Sequence, residues 1–245
     1  MIIEGIMIED VKKQVKDLLT TFKGHSFDHV ERVYKTAIQI ANKEGADEQI
    51  VALAALLHDT DDYKFVGIED AKKLLNAKSI MQKMNLDFKT QSKVCEIILS
   101  LGYSNRLKGI YPTSLEGQIV SDADMLDAMG AMAIVRTLEY GLSKKAPIFQ
   151  KDIFPKSDIT PDEYQQKAEK EDIIIHHFFD KLLKLKYLLF TKTAQQLGED
   201  KHQFMIDFLI LFFKENNQEK WITYLEDYLK TLSIKYNQQE IKSNN

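Results

Sequence analysis

Residues that interrupt helices are scarce in this chain. Ten glycines and four prolines in 245 residues exclude collagen-like, linker-dominated and low-complexity architectures. The single cysteine, Cys95, excludes an intrachain disulfide and fits a reducing compartment; its setting, "VCEIIL", reads as core packing. Charge of neither sign dominates: 33 basic and 37 acidic side chains are spread along the chain for a net charge of −4, so no basic domain or tail is present to meet a nucleic acid. Long apolar runs are missing as well. "IVALAALL" and "FLILFF" fall well short of the ~20 residues a membrane helix needs, and "MIIEGIMIED" lacks a basic start and carries acids, unlike a secretory signal. The expectation is a soluble cytoplasmic protein with no nucleic-acid or membrane partner; self-association is left open.

What is present is apolar periodicity of the helical kind. Hydrophobic residues make up 44 % of the chain, enough for a sizeable core. Apolar spacing at i, i+3, i+4 and i+7 predicts helices over 8–22 and 26–44, the second closing at Gly45, after which Asp47 caps a third through "DEQIVALAALLHD". That third helix is apolar nearly all round and is expected to be central. Helices are also predicted over 69–84, 90–101 and, opened by the capping box "TSLE" at Thr113–Glu116, on to about Gly141. Residues 142–159, with Pro147 and Pro155, read as a long loop, with a lid over the substrate left open. A second capping box, "TPDE" at Thr160–Glu163, opens a C-terminal part of three further helical stripes. No segment reads as a strand, so the fold class is all-α.

Ionisable residues break into this apolar pattern at three places. "GHSFDHVERV" sets His25 and His29 four apart, with Arg32 one turn beyond His29. The apolar third helix ends directly in His58 and Asp59, with Asp61 and Asp62 following. "SDADMLDA" places Asp122, Asp124 and Asp127 in a helix whose other positions are Ile119, Val120, Met125, Leu126 and Met129. A carboxylate buried without compensation costs many kcal/mol, so such acids need a partner, a hydrogen bond or a metal. Two imidazoles with two or three carboxylates would form a mixed nitrogen and oxygen site, suited to Mn, Fe, Co, Ni, Zn or Mg.

The order His29, His58-Asp59, Asp124, with the flanks "HVERV", "AALLHD" and "SDADMLDAMGA", resembles the HD-domain superfamily of metal-dependent phosphohydrolases, whose signature is H…HD…D. Together these flanks cover about 22–141. "HHFFDKLLKLKYLLFTKTA" and "KHQFMIDFL" resemble the C-terminal helices of a small bacterial subgroup labelled YedJ-like or YpgQ-like. The resemblance implies a single HD-type helical domain, with its core at about 22–141 and a C-terminal helical extension at about 160–236. It implies that His29, His58, Asp59 and Asp124 ligate a divalent metal.

Asp62, three residues after Asp59, is the candidate for orienting or deprotonating an attacking water, although related families often carry Glu there. Arg32 is the candidate for holding a phosphate during catalysis and in substrate binding, with Lys64 supplying a second positive charge. His177 and Lys181, spaced i, i+4, are further substrate-contact candidates, and Asp122 and Asp127 read as hydrogen-bonding support. The function expected is hydrolysis of a phosphoester or phosphoanhydride in a small phosphorylated molecule, a nucleotide foremost, by a nucleotidase or a nucleoside triphosphate pyrophosphohydrolase. Two other readings stand beside it: a helical nucleotide-binding protein without turnover, and a di-iron oxygenase of the same fold. The latter needs further histidines after the HD pair, and none occurs between Asp59 and Asp124.

Overall fold

The computed structural model describes residues 2–20, 27–156, 160 and 173–243; His25 and residues 161–163 of the second capping box lie outside them. Among the described residues there are helices and no strand. The chain divides into two compact units, Met1–Asp127 with Phe190–Ala194, and Ala128–Leu189 with Gln195–Asn245.

In the first unit, helix α1 (Ile2–Leu19), α2 (Phe27–Glu44), α3 (Glu48–Leu57), the short α4 (Tyr63–Val66) and α5 (Ile68–Ala71), α6 (Leu75–Lys83), α7 (Phe88–Ser100), the short α8 (Tyr103–Leu107) and α9 (Leu115–Asp127) follow one another. The central element is α3, packed against α1, α2, α7 and α9. All eight residues from Ile50 to Leu57 are buried, and each large one contributes about 1.5–3 kcal/mol by leaving water. Its start is fixed as expected: Asp47 accepts from the backbone N–H groups of Gln49 and Ile50. Before it, α2 ends at Gly45, whose φ of +74° suits glycine and whose N–H returns to the Ala41 carbonyl at 2.8 Å.

Several boundaries differ from the sequence reading. The helix expected over 69–84 is broken at Leu74, which takes a φ of +51°. Leu74 has no side-chain acceptor to cap α6. Instead Asp61 reaches back from the loop after α3 and accepts from the N–H groups of Asn76 and Ala77, both at 2.9 Å. At the "TSLE" segment the cap is Ser114, whose Oγ accepts from Gly117 N–H at 3.2 Å, while Glu116 turns to the Asp47 N–H at 3.3 Å. The long helix expected from Thr113 to Gly141 is two helices, because Met129 is extended and Gly130 takes a φ of +75°.

Residues 190–194 are tied into the first unit by side chains of that unit. Asp122 accepts from the N–H groups of Phe190 and Thr191 and from the Thr191 hydroxyl, each at 2.8 Å. Glu44 accepts from Thr193 N–H at 2.9 Å. Burial pushes the Asp122 carboxyl up to about 6, against the pull of these donors and of Arg106.

The second unit contains α10 (Gly130–Ser143), a short helix His176–Asp180, a 3₁₀ segment Leu182–Leu188, most of the helix Lys192–Glu215, and the helix Glu219–Ser243. The stripe in "HHFFDKLLKLKYLLF" predicts one amphipathic helix, but apolar residues there are too dense for one face. Phe178, Phe179, Leu182, Leu183 and Leu185 are all buried, and the Phe179 carbonyl, which a continuing α-helix would use, accepts from the Tyr228 hydroxyl. Trp221, fully buried, stacks on Phe154 at 4.4 Å. The loop beneath it is tied down: Trp221 Nε1 donates to Lys151 O, Tyr224 OH to Pro155 O and His176 Nε2 to Ile153 O, at 2.8–3.0 Å. This part of 142–159 is a packed segment of the second unit.

Candidate metal centre

Three helices of the first unit meet at one polar point. His29 comes from the first turns of α2, His58 and Asp59 follow the last turn of α3, and Asp124 and Asp127 lie one turn apart on α9. The apolar stripes of these helices drive them together, and the polar groups at the edge of each stripe are brought with them.

The hydrogen bonds fix which ring nitrogens carry protons. His58 Nδ1 lies 2.8 Å from the Ala55 carbonyl, an acceptor only, so Nδ1 donates and Nε2 keeps its lone pair. His29 Nδ1 lies 2.7 Å from Asp127 Oδ2, so it too donates and its Nε2 is bare. The two bare nitrogens face each other at 3.3 Å. Around them, His29 Nε2 is 3.5 Å from Asp59 Oδ2 and 3.5 Å from Asp124 Oδ1, and His58 Nε2 is 3.4 Å from Asp59 Oδ1.

In the neutral rings two lone pairs and two carboxylates face one another, and a cation among them, a proton or a metal ion, removes their repulsion. The spacing suits one. With metal–ligand bonds of ~2.0–2.2 Å, neighbouring ligands stand about 3.0 Å apart in an octahedron and about 3.4 Å apart in a tetrahedron. His29, His58 and Asp59 each offer a ligand atom, all lying within 4.8 Å of one another; Asp124 adjoins them through His29. Nitrogen and carboxylate donors without sulfur match a divalent first-row metal or magnesium.

Electrostatics point the same way. Burial pulls the His58 pKa down, but the Asp59 and Asp124 carboxylates outweigh it, with the Ala55 carbonyl adding to them, and the net shift is upward. The site therefore favours positive charge. Asp127 is held well below the usual carboxylate range: burial opposes ionisation, and hydrogen bonds from His29 and Arg32 overcome it. Arg32 is raised in turn, first through its bond to Asp127. Exposure is graded, with the His58 side chain at 4 %, Asp59 at 17 % and Asp124 at 31 %, so the carboxylates form the open side.

Of the other expected site residues, Arg32 places Nε and Nη2 on Asp127 at 2.6 and 3.0 Å. Asp62 is half-buried at the start of α4, where its carbonyl accepts from Phe65 N–H at 2.9 Å and its charge raises His58. The side chain of Lys64 lies outside the described residues. His177 and Lys181 belong to the second unit, at and just after the short helix His176–Asp180. Asp61, the acid between Thr60 and Asp62, is buried at 5 %. Its signal in the sequence is indirect: α6 begins after Leu74 with no capping side chain of its own.

The profile of the HD domain family matches residues 26–129. The YpgQ protein of Bacillus subtilis is 34 % identical over 205 residues, spanning 82 % of this chain and 89 % of the relative. A solved structure described as an HD-superfamily hydrolase from Bacillus thuringiensis superposes with a TM-score of 0.69 at 32 % identity, covering 87 % of this chain and 98 % of that one. The structure of B. subtilis YpgQ in complex with ADP superposes with a TM-score of 0.64 at 28 % identity, covering 87 % and 96 %.

Proposed function

This chain belongs to the HD-domain family, and from that premise we propose that it is a metal-dependent phosphohydrolase acting on a small phosphorylated substrate, a nucleotide foremost. The observation that carries the proposal is the convergence of His29 Nε2, His58 Nε2 and the Asp59 and Asp124 carboxylates, with both imidazoles held as acceptors. The ADP bound to the related YpgQ supports a nucleotide.

In this reading His29, His58, Asp59 and Asp124 hold a divalent cation. Such a cation would supply a water activated near neutral pH and positive charge opposite a phosphoryl oxygen. The rest is done by the chain. His58 and His29 are held in one tautomer each by Ala55 O and Asp127, which removes reorganisation when substrate binds. Asp62 orients the attacking water and takes its proton. Lys64 supplies positive charge to a phosphate. For a nucleoside triphosphate, water oxygen bonds to the α-phosphorus, the bond from that phosphorus to the bridging oxygen breaks, and pyrophosphate leaves with the electron pair.

The test is a panel of nucleoside mono-, di- and triphosphates with Mn, Mg, Co or Ni, products resolved by phosphorus NMR. Expected is metal-dependent turnover that releases pyrophosphate from a triphosphate and is abolished by His58→Ala or Asp59→Ala. Tight nucleotide binding without turnover under every metal would overturn the enzyme reading. Two irons per chain with oxygen consumption would replace it by an oxygenase.

A further inference from the structure

The structure assigns Asp127 the part of a positioning residue: with Arg32 it fixes the proton of His29 on Nδ1 and so aims the bare Nε2 at the other three ligands. This rests on the reading that the site holds a divalent cation. Asp127 is buried at 7 %, and its oxygens are both engaged. Oδ2 accepts from His29 Nδ1 at 2.7 Å and from Arg32 Nη2 at 3.0 Å, and Oδ1 accepts from Arg32 Nε at 2.6 Å. A carboxylate so engaged has little left to offer a cation, which separates its role from that of Asp124 one turn earlier.

The geometry decides the tautomer. Were the His29 proton on Nε2, the Nδ1 lone pair would face a carboxylate oxygen at 2.7 Å, a contact between two acceptors. A single hydrogen bond would still leave the carboxylate free to rotate. The side-on fork from Arg32 removes that freedom, and its charge cancels that of Asp127, so the clamp orients a ligand without making the site more negative. Outer groups of this kind set ligand direction and basicity, and their loss costs roughly ten- to a hundredfold in metal affinity.

Long-range proton–nitrogen NMR on metal-free protein labelled at histidine nitrogens, about two pH units above the ordinary histidine value, reads the tautomer without any variant. His29 protonated on Nδ1 is expected; His29 protonated on Nε2 overturns the assignment. In Asp127→Asn the amide must turn its NH₂ toward either His29 or Arg32, both donors. The Co dissociation constant, measured by competition with a chelator, is expected to rise roughly ten- to a hundredfold. Arg32→Gln, which keeps the His29–Asp127 pair, is expected to raise it less. Equal Co affinity in wild type and Asp127→Asn overturns the positioning role and leaves the metal site standing. If wild type takes up no divalent cation, the metal-site reading fails, and the assignment that rests on it falls too.

Discussion

Replacing Asp61 by Ala tests how the segment after α3 is held. The Asp61 carboxylate is buried at 5 % and accepts from Asn76 N–H and Ala77 N–H, both at 2.9 Å; Thr60 Oγ1, whose proton goes to Leu57 O at 2.8 Å, lies 3.1 Å away. The first two are the orphan donors at the start of α6. Loss of an N-cap costs about 0.5–2 kcal/mol, and a buried donor left without a partner costs about 1–3 kcal/mol. Water entering the gap recovers part of this, so the total is about 3 kcal/mol. Asp61→Asn keeps one carbonyl oxygen but turns an NH₂ toward a donor, and about 1–2 kcal/mol is expected. The assay is urea unfolding followed by far-ultraviolet circular dichroism. With a slope of about 2–3 kcal/mol/M, the Ala midpoint falls by about 1 M, Asn lies between Ala and wild type, and the slope is unchanged. Because Asp61 stands two residues after Asp59, Co affinity should fall in the Ala variant as well. A midpoint equal to wild type with an unchanged slope would refute the cap and the reasoning built on it.

Adding Mn or Co at about a hundred times its dissociation constant should stabilise the wild-type chain by about 2.7 kcal/mol, read as a rise in melting temperature that His58→Ala and Asp59→Asn abolish. His202, buried at 4 % with no partner for Nδ1 among the described residues, has its pKa pushed down to about 4 by burial and then by Lys186. The unfolded chain protonates first, so this contribution is full above pH ~6.5 and is lost as pH falls toward ~4; His202→Phe should remove about 3 kcal/mol of acid sensitivity from the urea midpoint measured across that range. Gly117→Ala places a Cβ 2.6 Å from Pro112 Cβ and 3.3 Å from Ile97 Cγ1, and a loss of about 1–3 kcal/mol in unfolding free energy is expected.

Much of this was written locally in the chain. The α3 segment could be placed because its apolar residues surround the helix, Asp47 sits where a cap belongs, and Gly45 where a left-handed residue belongs. The polar cluster showed as charge interrupting apolar stripes at His29, His58-Asp59 and Asp124. What stayed hidden depends on partners far apart in sequence. The break at Leu74 follows from Asp61, 15 residues before Asn76, and no periodicity rule carries that distance. That Asp127, 95 residues away, takes two of the donors of Arg32 is likewise not written in either local stretch. The 3₁₀ stretch Leu182–Leu188 was hidden for another reason: a segment buried on several sides carries no single face by which to read its period.

The segment at the end of α3 shows why so apolar a helix tolerates four polar residues in a row. The last carbonyls of a helix lack intrahelical donors, and two of these four side chains supply them: His58 Nδ1 to Ala55 O, and Thr60 Oγ1 to Leu57 O, both at 2.8 Å. Asp61 serves the opposite need at the start of α6, satisfying N–H groups with a carboxylate that also complements the positive end of that helix's dipole. Asp59, between them, turns its carboxylate to His29 and His58 at 3.5 and 3.4 Å. The negative end of the α3 dipole adds to the field that favours a cation there. Substituting either neighbour to simplify the site would therefore release backbone groups before it altered the chemistry, whereas Asp59→Asn should weaken cation binding while leaving the urea midpoint of the metal-free protein at or above the wild-type value.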